Sequence, residues 1–255
     1  MFKEGDLQAK LCLIVPCYNE ARRLDVQSFR SYLSGTPDSR LVFVDDGSTD
    51  NTVEVLQRIC DRLEDRAGIL PCTVNGGKAE AVRRGVLYAL DRYSPRFVGF
   101  WDADLATPLD AVGQFLKVLE EEREIEMIFG SRVKLLGRHV ERKALRHYLG
   151  RVFATAVSTM LRLPIYDTQC GAKIFRTTDR TRQVFAEGFI SNWVFDVEII
   201  ARYLNLYRGD ARFLEKIIYE FPLEKWVDVA GSKVRAMDFV TAFVDVAMIK
   251  WRYVR

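Results

Sequence analysis

The sequence of 255 residues has no long apolar run and no leader-like start. No window of about 20 consecutive apolar residues occurs, so we expect no helix that spans a bilayer. The opening ten residues, MFKEGDLQAK, contain no apolar core of a secretory signal. The five cysteines are odd in number and no two have metal-ligand spacing, so we interpret them as reduced thiols. These absences predict a cytoplasmic protein.

The chain also has little net charge and few histidines. A net charge of +3 is too small to indicate nucleic acid by itself, and we expect no nucleic-acid partner. Both histidines lie in the segment 132–151, which carries seven Lys or Arg and a single acid, Glu141. A local basic cluster of this kind favours an anionic partner such as phosphate or a membrane surface.

Two common nucleotide-binding motifs are missing. No G-x-G-x-x-G follows the first apolar run, which weakens a dehydrogenase interpretation, and the Gly-Gly-Lys at 76–78 lacks the remaining residues of a Walker loop. Short apolar runs do alternate with amphipathic stretches over residues 11–131. This alternation predicts an α/β fold with a mainly parallel central sheet and helices on both faces, with ligands bound outside the carboxyl ends of the strands.

After residue 132 the alternation weakens. We expect a helix over 141–163, a loop over 164–175, a helix over 193–206, a strand over 212–220 and an amphipathic helix at the end. No Pro/Gly/Ser-rich linker divides the chain, so we predict one domain.

A pair of carboxylates ends the apolar run 97–101. If the chain stays extended there, Asp102 and Asp104 point to the same side. Two close carboxylates repel each other unless a cation lies between them or one is protonated, and hard oxygen ligands suit Mg²⁺ or Mn²⁺. The alternative is a pair of solvated loop acids, one of which caps the helix near Pro108.

Two further segments at predicted strand or helix ends carry polar groups. Asp45 and Asp46 follow a strand, and such carboxylates can accept hydrogen bonds from a ribose or a base; the alternative is a helix N-cap region, with Thr49 or Asp50 as the cap. Gly76, Gly77 and Lys78 open a helix, where bare backbone amides and a lysine favour phosphate. The alternative there is a simple helix-opening turn.

Six motifs in this order and spacing carry a family resemblance: IVPCYNE, VFVDDGSTDNT, NGGKAEAVRRG, DADL, GSR and DTQCGAKIF. Together they resemble an inverting family 2 glycosyltransferase with the nucleotide-diphospho-sugar transferase (GT-A type) fold. Within it they are similar to the polyprenyl-phosphate sugar transferases, in particular the dolichyl-phosphate glucosyltransferases. The resemblance covers about residues 10–235.

The resemblance implies a nucleotide-sugar-binding lobe over about 10–131, an acceptor lobe over about 132–235 and a C-terminal helix over 236–255. It implies Mg²⁺ or Mn²⁺ on Asp102 and Asp104. The implied donor contacts are Pro16, Tyr18, Asn19, Glu20, Asp45, Asp46, Gly76, Lys78, Asp102, Ser232 and Lys233. The implied catalytic residues are Asp102, Asp104, Arg132, Asp167 and Gln169.

The expected reaction is transfer of a sugar, glucose from UDP-glucose in the first place, to a polyprenyl phosphate. Two alternatives remain open: a soluble transferase that acts on a saccharide hydroxyl with Asp167 or Asp196 as general base, and a GDP-mannose-dependent polyprenyl-phosphate mannose synthase. A non-catalytic anion- or membrane-binding module on a degenerate fold is a third. A lipid phosphate is already ionised and needs cations more than a base, and the basic segment 132–151 supplies these unless it is only a solvated basic face.

The C-terminal stretch AMDFVTAFVDVAMIKWRYVR allows several interpretations. It predicts a helix that packs on the domain through Phe239, Phe243, Val246 and Ile249. It could instead lie on the cytoplasmic face of a membrane, with Trp251 at headgroup level, or form a homodimer contact.

Overall fold

A seven-stranded sheet forms the centre of the protein. The structure is a computed structural model that describes residues 9–63, 65–133, 139–141, 144–227 and 236–254, with the side chains of 139–149 and 236–240 left out. The strands are Leu11–Cys17 (β1), Ser39–Asp45 (β2), Ala67–Pro71 (β3), Phe97–Trp101 (β4), Met127–Ser131 (β5), His139–Glu141 (β6), Ala172–Arg176 (β7), Ile218–Pro222 (β8) and Lys225–Val227 (β9).

Most strand pairs in the sheet are parallel, as expected from the alternating sequence. The pairs β1–β2, β1–β4, β2–β3 and β5–β8 are parallel, while β7 runs antiparallel to both β4 and β5. The short strands β6 and β9 pair with each other in a separate two-stranded sheet. The mainly parallel architecture predicted from the sequence is therefore confirmed.

Helices cover both faces of the sheet. They are Val26–Gly35 (α1), Thr52–Cys60 (α2), Lys78–Tyr93 (α3), Asp110–Glu121 (α4), Ala144–Leu161 (α5), Asp179–Ala186 (α6), Phe195–Leu206 (α7), Ala211–Ile217 (α8) and Ala236–Tyr253 (α9). Side chains alternate across each strand, so that Leu13 of β1 joins the core under α1, α2 and α4, while Ile14 joins the core under α3, α5 and α7. Both faces are buried, which explains why these strands are continuous apolar runs.

The chain reverses its direction of travel across the sheet at the β1–β4 boundary. Strands β1, β2 and β3 follow one another outward in one direction, and β4 then pairs with the other side of β1. The carboxyl ends of β1 and β4 therefore diverge into loops on opposite sides, which leaves a crevice between them. This crevice positions the site described below.

Three predictions for the second half of the chain need correction. The segment predicted as a strand over 212–220 is helix α8 followed by β8, because the Asp210 side chain accepts a hydrogen bond from the Phe213 backbone N–H and caps the helix. The predicted loop 164–175 ends in strand β7, since Ala172 enters the sheet beside β4. The helix predicted over 141–163 is shorter, and strand β6 precedes it. The helix predicted over 193–206 is confirmed as α7.

The C-terminal helix α9 packs on the domain against α7 and α5. Ala242, Val246 and Ile249 are buried on this face, as predicted for the last two, whereas Phe243 is 44% exposed although its ring contacts that of Phe153. Phe239 lies outside the described side chains. Within the part of the chain that the structure describes, no helix combines the length and the apolar character needed to cross a bilayer.

Candidate active site

A cleft of about 460 Å³ opens at the carboxyl ends of β1 and β4. Its walls come from the loops after β1, β2, β4 and β5, the start of α3, the 169–171 loop and the start of α7. The predicted site residues that line it are Pro16, Tyr18, Glu20, Asp46, Lys78, Asp102, Asp104, Arg132 and Gln169. The sequence motifs therefore converge on one cavity, as expected for the switch point of an α/β sheet.

Asp102 and Asp104 face the cleft together, but for a different reason than predicted. Strand β4 ends at Trp101, and the chain turns so that the Leu105 N–H donates to the Asp102 carbonyl at 3.2 Å. The Asp104 Oδ1 accepts from the Ala106 N–H at 3.1 Å. A turn, and not an extended strand end, brings both carboxylates to the cavity.

The two carboxylates create a strongly negative point in the cleft. Burial and the neighbouring charge of Asp102 raise the pKa of Asp104. The Lys78 ammonium lies 2.5 Å from the Asp102 Oδ1, and this carboxylate and that of Asp196 raise the pKa of Lys78 against the opposing effect of burial. The Asp102 carboxylate is thus paired with Lys78, and the two carboxylates together favour a further positive charge in the cleft.

The donor set fits a hard divalent cation that is bound partly by substrate. Among the residues that the structure describes, no third His, Cys, Asp or Glu completes a metal-binding cluster with this pair. Mg²⁺ and Mn²⁺ are typically bound through one or two carboxylates, with substrate phosphates and water in the remaining positions. Asp102 and Asp104 could hold such a cation.

The Gly76-Gly77 turn has a different role from the predicted one. The Gly76 N–H donates to the Asp46 Oδ1 at 2.9 Å and the Gly77 N–H donates to the Oδ2 at 2.8 Å. These two amides are therefore bonded to a carboxylate and are not bare as predicted, while the role of Gly76 in donor binding stays a prediction. Asp46 fixes the turn that presents Lys78 to the cleft, and Gly77 adopts a positive φ of 85° there.

Asp45 and Asn19 lie outside the cavity lining and organise its wall. The buried Asp45 accepts from the Ser48 N–H at 3.3 Å. Asn19 has a φ of 52°, and its Oδ1 accepts from the Thr49 N–H at 2.8 Å while its own N–H donates to the Ser48 Oγ. These bonds join the loops after β1 and β2. The N-cap of α2 differs from the predicted Thr49 or Asp50, since Asn51 occupies this position. The Asp50 carboxylate still accepts from the Thr52 N–H at the start of the helix.

Arg132 and Asp167 form a buried bidentate ion pair at the edge of the cleft. The Arg132 Nε and Nη2 lie 2.6 and 2.7 Å from the two Asp167 carboxylate oxygens, and the Arg132 N–H donates to the same group. Asp167 raises the pKa of Arg132, while burial opposes this shift. Arg132 lines the cleft and stacks at 5.3 Å over Trp226, whereas Asp167 lies behind it. Asp167 is thus a partner of Arg132.

Glu220 supports this pair from strand β8 and was missed in the sequence. Its carboxylate accepts from the Tyr166 and Asp167 backbone N–H groups at 2.9 and 2.6 Å. Burial raises its pKa and these hydrogen bonds oppose the rise. A single acid within the apolar run IIYEFP was the available signal, because an isolated charge in a strand needs a partner.

Lys173 is a second residue that the sequence did not reveal. It is fully buried, and its Nζ donates to the Thr168 and Cys170 carbonyls at 2.9 and 2.6 Å. The same ammonium lies 2.7 Å from the Asp196 Oδ1, at the start of α7. This ion pair fixes both the 168–171 loop and Asp196, which lines the cleft.

The 168–171 loop delivers two features to the cleft. The Gln169 side chain lines the cavity, and its amide nitrogen is buried with no hydrogen-bond partner among the described residues. The Gly171 carbonyl accepts from the Asp102 N–H at 3.0 Å, and a Cβ at this position would lie 1.9 Å from the Asp102 Oδ2. Only glycine allows this close approach.

The remaining predicted residues do not line the cavity or fall outside the description. Gly76 lies in the turn held by Asp46, and Ser232 and Lys233 lie outside the described residues. In the basic segment 132–151, residues 134–138 and 142–143 and the side chains of 139–149 lie outside the description as well, whereas Arg151 is described and stacks over Tyr166 at 3.7 Å. The roles of all these residues in binding or catalysis stay predictions.

Comparisons with known proteins agree with this geometry. The family model described as glycosyl transferase family 2 matches residues 12–182. A dolichyl-phosphate beta-glucosyltransferase from Dictyostelium discoideum is 30% identical, over 95% of this chain and 74% of that protein. The human protein of the same name is 29% identical, over 96% of this chain and 76% of its own length.

Solved structures with the same fold include glucosyl-3-phosphoglycerate synthase from Mycobacterium tuberculosis. Its complex with phosphoglyceric acid superposes with a TM-score of 0.67 at 15% identity and covers 98% of this chain and 85% of that one. Its complex with Mn²⁺, UDP and glucosyl-3-phosphoglycerate gives a TM-score of 0.65 at 17% identity, over 99% and 84%. The GT-A type fold expected from the motifs is confirmed.

The approach of Gly171 to Asp102 predicts the effect of a single methyl group. We expect Gly171→Ala to displace the Asp102 carboxylate and to weaken Mn²⁺ binding in the presence of UDP by at least about tenfold, or ~1.4 kcal/mol. Titration calorimetry measures this. Gly113→Ala is the matched control, since nothing lies within 4 Å of its added Cβ in helix α4, and it should bind as the parent does. Equal binding by both variants would show that the close approach is unimportant.

The raised pKa of Asp104 predicts a gain of stability when its charge is removed. A carboxyl with a raised pKa contributes stability that is fully present below its unfolded pKa of about 4 and is lost as the pH rises through the folded value. Metal-free Asp104→Asn should therefore match the parent at low pH and melt higher at pH 7, by about 2–4 °C for 1 kcal/mol. Thermal scans in chelator at both pH values check this. A lower melting temperature at pH 7, or the same gain in the control Glu54→Gln, would contradict it.

Proposed function

The chain belongs to glycosyl transferase family 2, and we propose that it transfers glucose from UDP-glucose to the phosphate of a polyprenyl phosphate such as dolichyl phosphate, with inversion at the anomeric carbon. The names of its curated relatives support the lipid acceptor and the β configuration of the product. UDP in the structural neighbours supports the donor nucleotide. Attack from the face opposite the departing UDP converts the α-linked glucose of the donor into a β-linked product.

The ion pairs of the two candidate bases decide between a phosphate and a hydroxyl as the acceptor. Both Asp167 and Asp196 are buried in ion pairs, with Arg132 and Lys173. A carboxylate held in this way is a poor proton acceptor, because taking up a proton would break a buried ion pair. A hydroxyl acceptor would need such a base, whereas a phosphate monoester arrives already ionised. The cleft therefore favours the phosphate acceptor over a saccharide hydroxyl.

Asp102 and Asp104 are the residues that would hold the divalent cation. When bound, the cation supplies Lewis-acid stabilisation of the charge that develops on the departing diphosphate. Structural neighbours include complexes with Mn²⁺, and Mg²⁺ has the same preference for oxygen ligands. Lys78 contacts Asp102 and would help to neutralise the negative charge of the donor phosphates.

Residues on the other side of the cleft would orient the acceptor. Arg132 is held by Asp167 and presents its guanidinium at the cavity, where it would contact the lipid phosphate. The side-chain amide nitrogen of Gln169, which has no partner within the described part of the chain, would bind the sugar or the phosphate. Trp193 and Trp226 line the same cavity and would pack against the sugar ring. An acceptor of this kind lies in a membrane, so we propose that the protein works as a peripheral protein at a membrane surface.

A transfer assay with purified protein tests the function. We expect UDP release from UDP-glucose with Mn²⁺ only when a short, water-soluble polyprenyl phosphate is present, and a lipid product one hexose heavier by mass spectrometry. Asp102→Asn should lower kcat/KM by about 100-fold or more, because the Lewis-acid contribution amounts to several kcal/mol.

Three comparisons in that assay separate the alternatives. GDP-mannose replaces UDP-glucose to test the mannose synthase, and the polyprenol without phosphate tests a hydroxyl acceptor. A chelated sample tests the metal. Faster turnover with GDP-mannose, or equal turnover with the alcohol, would overturn the proposal.

The proposed partnership of Asp167 and Arg132 makes a kinetic prediction. Asp167→Asn should raise KM for the lipid phosphate by about tenfold while kcat changes little, since Arg132 loses its orientation but no proton acceptor is lost. A general base would show the reverse, a kcat loss of about 10²–10⁴. Glu198→Gln is the control, because Glu198 also forms a buried pair, with Arg202, and does not line the cleft. It should cost comparable stability, up to about 3–5 kcal/mol, and leave KM unchanged.

A further inference from the structure

Helix α9 is apolar on the face that it turns away from the protein. Its inner face buries Ala242, Val246 and Ile249, which a surface helix would normally balance with a polar outer face. The outer face instead exposes a continuous apolar strip, which we define as Phe243, Val244, Ala247, Met248 and Trp251. Val244 is 55% and Trp251 88% exposed. On a helical projection these five residues fall within one arc of about 140°, at 100° per residue.

We propose that this outer strip of α9 docks on the surface of an anionic lipid bilayer, with the helix lying in the plane of the interface. The inference rests on the proposed function, since a polyprenyl-phosphate acceptor would be held in such a bilayer. An 18-residue helix that carries Asp245 within its length, and that is too polar to cross, can still bury one apolar face at the headgroup boundary.

The charges beside the strip select a membrane over a second copy of the chain. Lys250 and Arg252 are exposed at its end, where Arg252 forms an exposed contact with Glu187 at 3.4 Å and lies 5.6 Å from the centre of the Tyr253 ring. From Thr241 to Val254 the single acid is Asp245, and it is turned inward to Ser191. Two copies meeting through this strip with their helices parallel would bring their basic ends together, whereas anionic headgroups complement these ends directly. A tryptophan at the end of the strip suits the headgroup level.

A hydrogen bond joins the docking helix to the cleft. The Ser191 Oγ donates to the Asp245 Oδ2 at 2.6 Å and accepts from the Trp193 and Val194 backbone N–H groups. The adjoining Asn192 and Trp193 line the cleft, and a Cβ added to Gly77 before α3 would lie 3.1 Å from the Asn192 side chain. A bilayer that fixes α9 would therefore also fix the orientation of the cleft wall relative to the lipid surface.

Vesicle co-sedimentation tests the inference without any acceptor or nucleotide. We expect the parent protein to bind vesicles of phosphatidylcholine with about one-third phosphatidylglycerol, and to bind less in 1 M salt, where the Debye length falls to about 3 Å. A variant with Val244→Ser, Met248→Ser and Trp251→Ser should lose at least about tenfold in vesicle affinity. Val74→Ser, a control that removes an equally exposed apolar side chain elsewhere, should bind as the parent does.

Two further measurements make each outcome decisive. The triple variant should keep the parent's melting temperature and its turnover on a short water-soluble polyprenyl phosphate, because the strip does not line the cleft. Vesicle binding that survives the triple change, or a concentration-dependent dimer that the triple change abolishes, would overturn the inference. If the parent binds vesicles through α9 but transfers no sugar, the proposed function falls and the docking surface stands.

Discussion

Repulsion between two carboxylates at the end of one buried strand governs the arrangement of the cleft. Asp102 is fixed by its own backbone bond to Gly171, and its carboxylate lies against the Cα of that glycine, so it cannot swing away in that direction. Asp104 is held by the Ala106 N–H on the far side of the turn. The pKa of Asp104 rises because this carboxyl is largely buried and because the charge of Asp102 is held beside it. Such confinement is unfavourable for folding alone and becomes favourable only when positive charge is present.

The surrounding elements supply or position that positive charge. Asp46 holds the turn before α3 and thereby aims Lys78 at Asp102. On the opposite wall, Glu220 holds the backbone of the 166–167 segment, and Asp167 in turn holds Arg132. Both chains of contacts end in a cation that faces the cavity. In each, a buried acid helps to position a basic residue, Asp46 through the backbone of a turn and Asp167 by direct contact.

The local parts of this arrangement could be predicted from the sequence, and the long-range parts could not. Apolar runs such as 97–101 identify buried strands, and the rule that ligands bind at carboxyl ends brings Asp102, Lys78 and Tyr18 to one rim. The helix α8 was mistaken for a strand because a short amphipathic run fits either period, and only the cap from Asp210 decides it. The Gly76 amides were interpreted as phosphate ligands because their partner, Asp46, lies 30 residues away.

The pairing of buried charges was the least predictable part of the site. Lys173 and Asp196 are separated by 23 positions and Arg132 and Asp167 by 35, and no periodicity relates residues at such distances. Their pairing depends on how the elements pack, since β7 lies between β4 and β5 and Lys173 on this strand is buried against Asp196 at the start of α7. This dependence has a functional consequence. The candidate bases of the sequence, Asp167 and Asp196, both form ion pairs with basic residues of the protein itself. A cleft with its acids paired in this way suits a nucleophile that is already ionised, such as a phosphate.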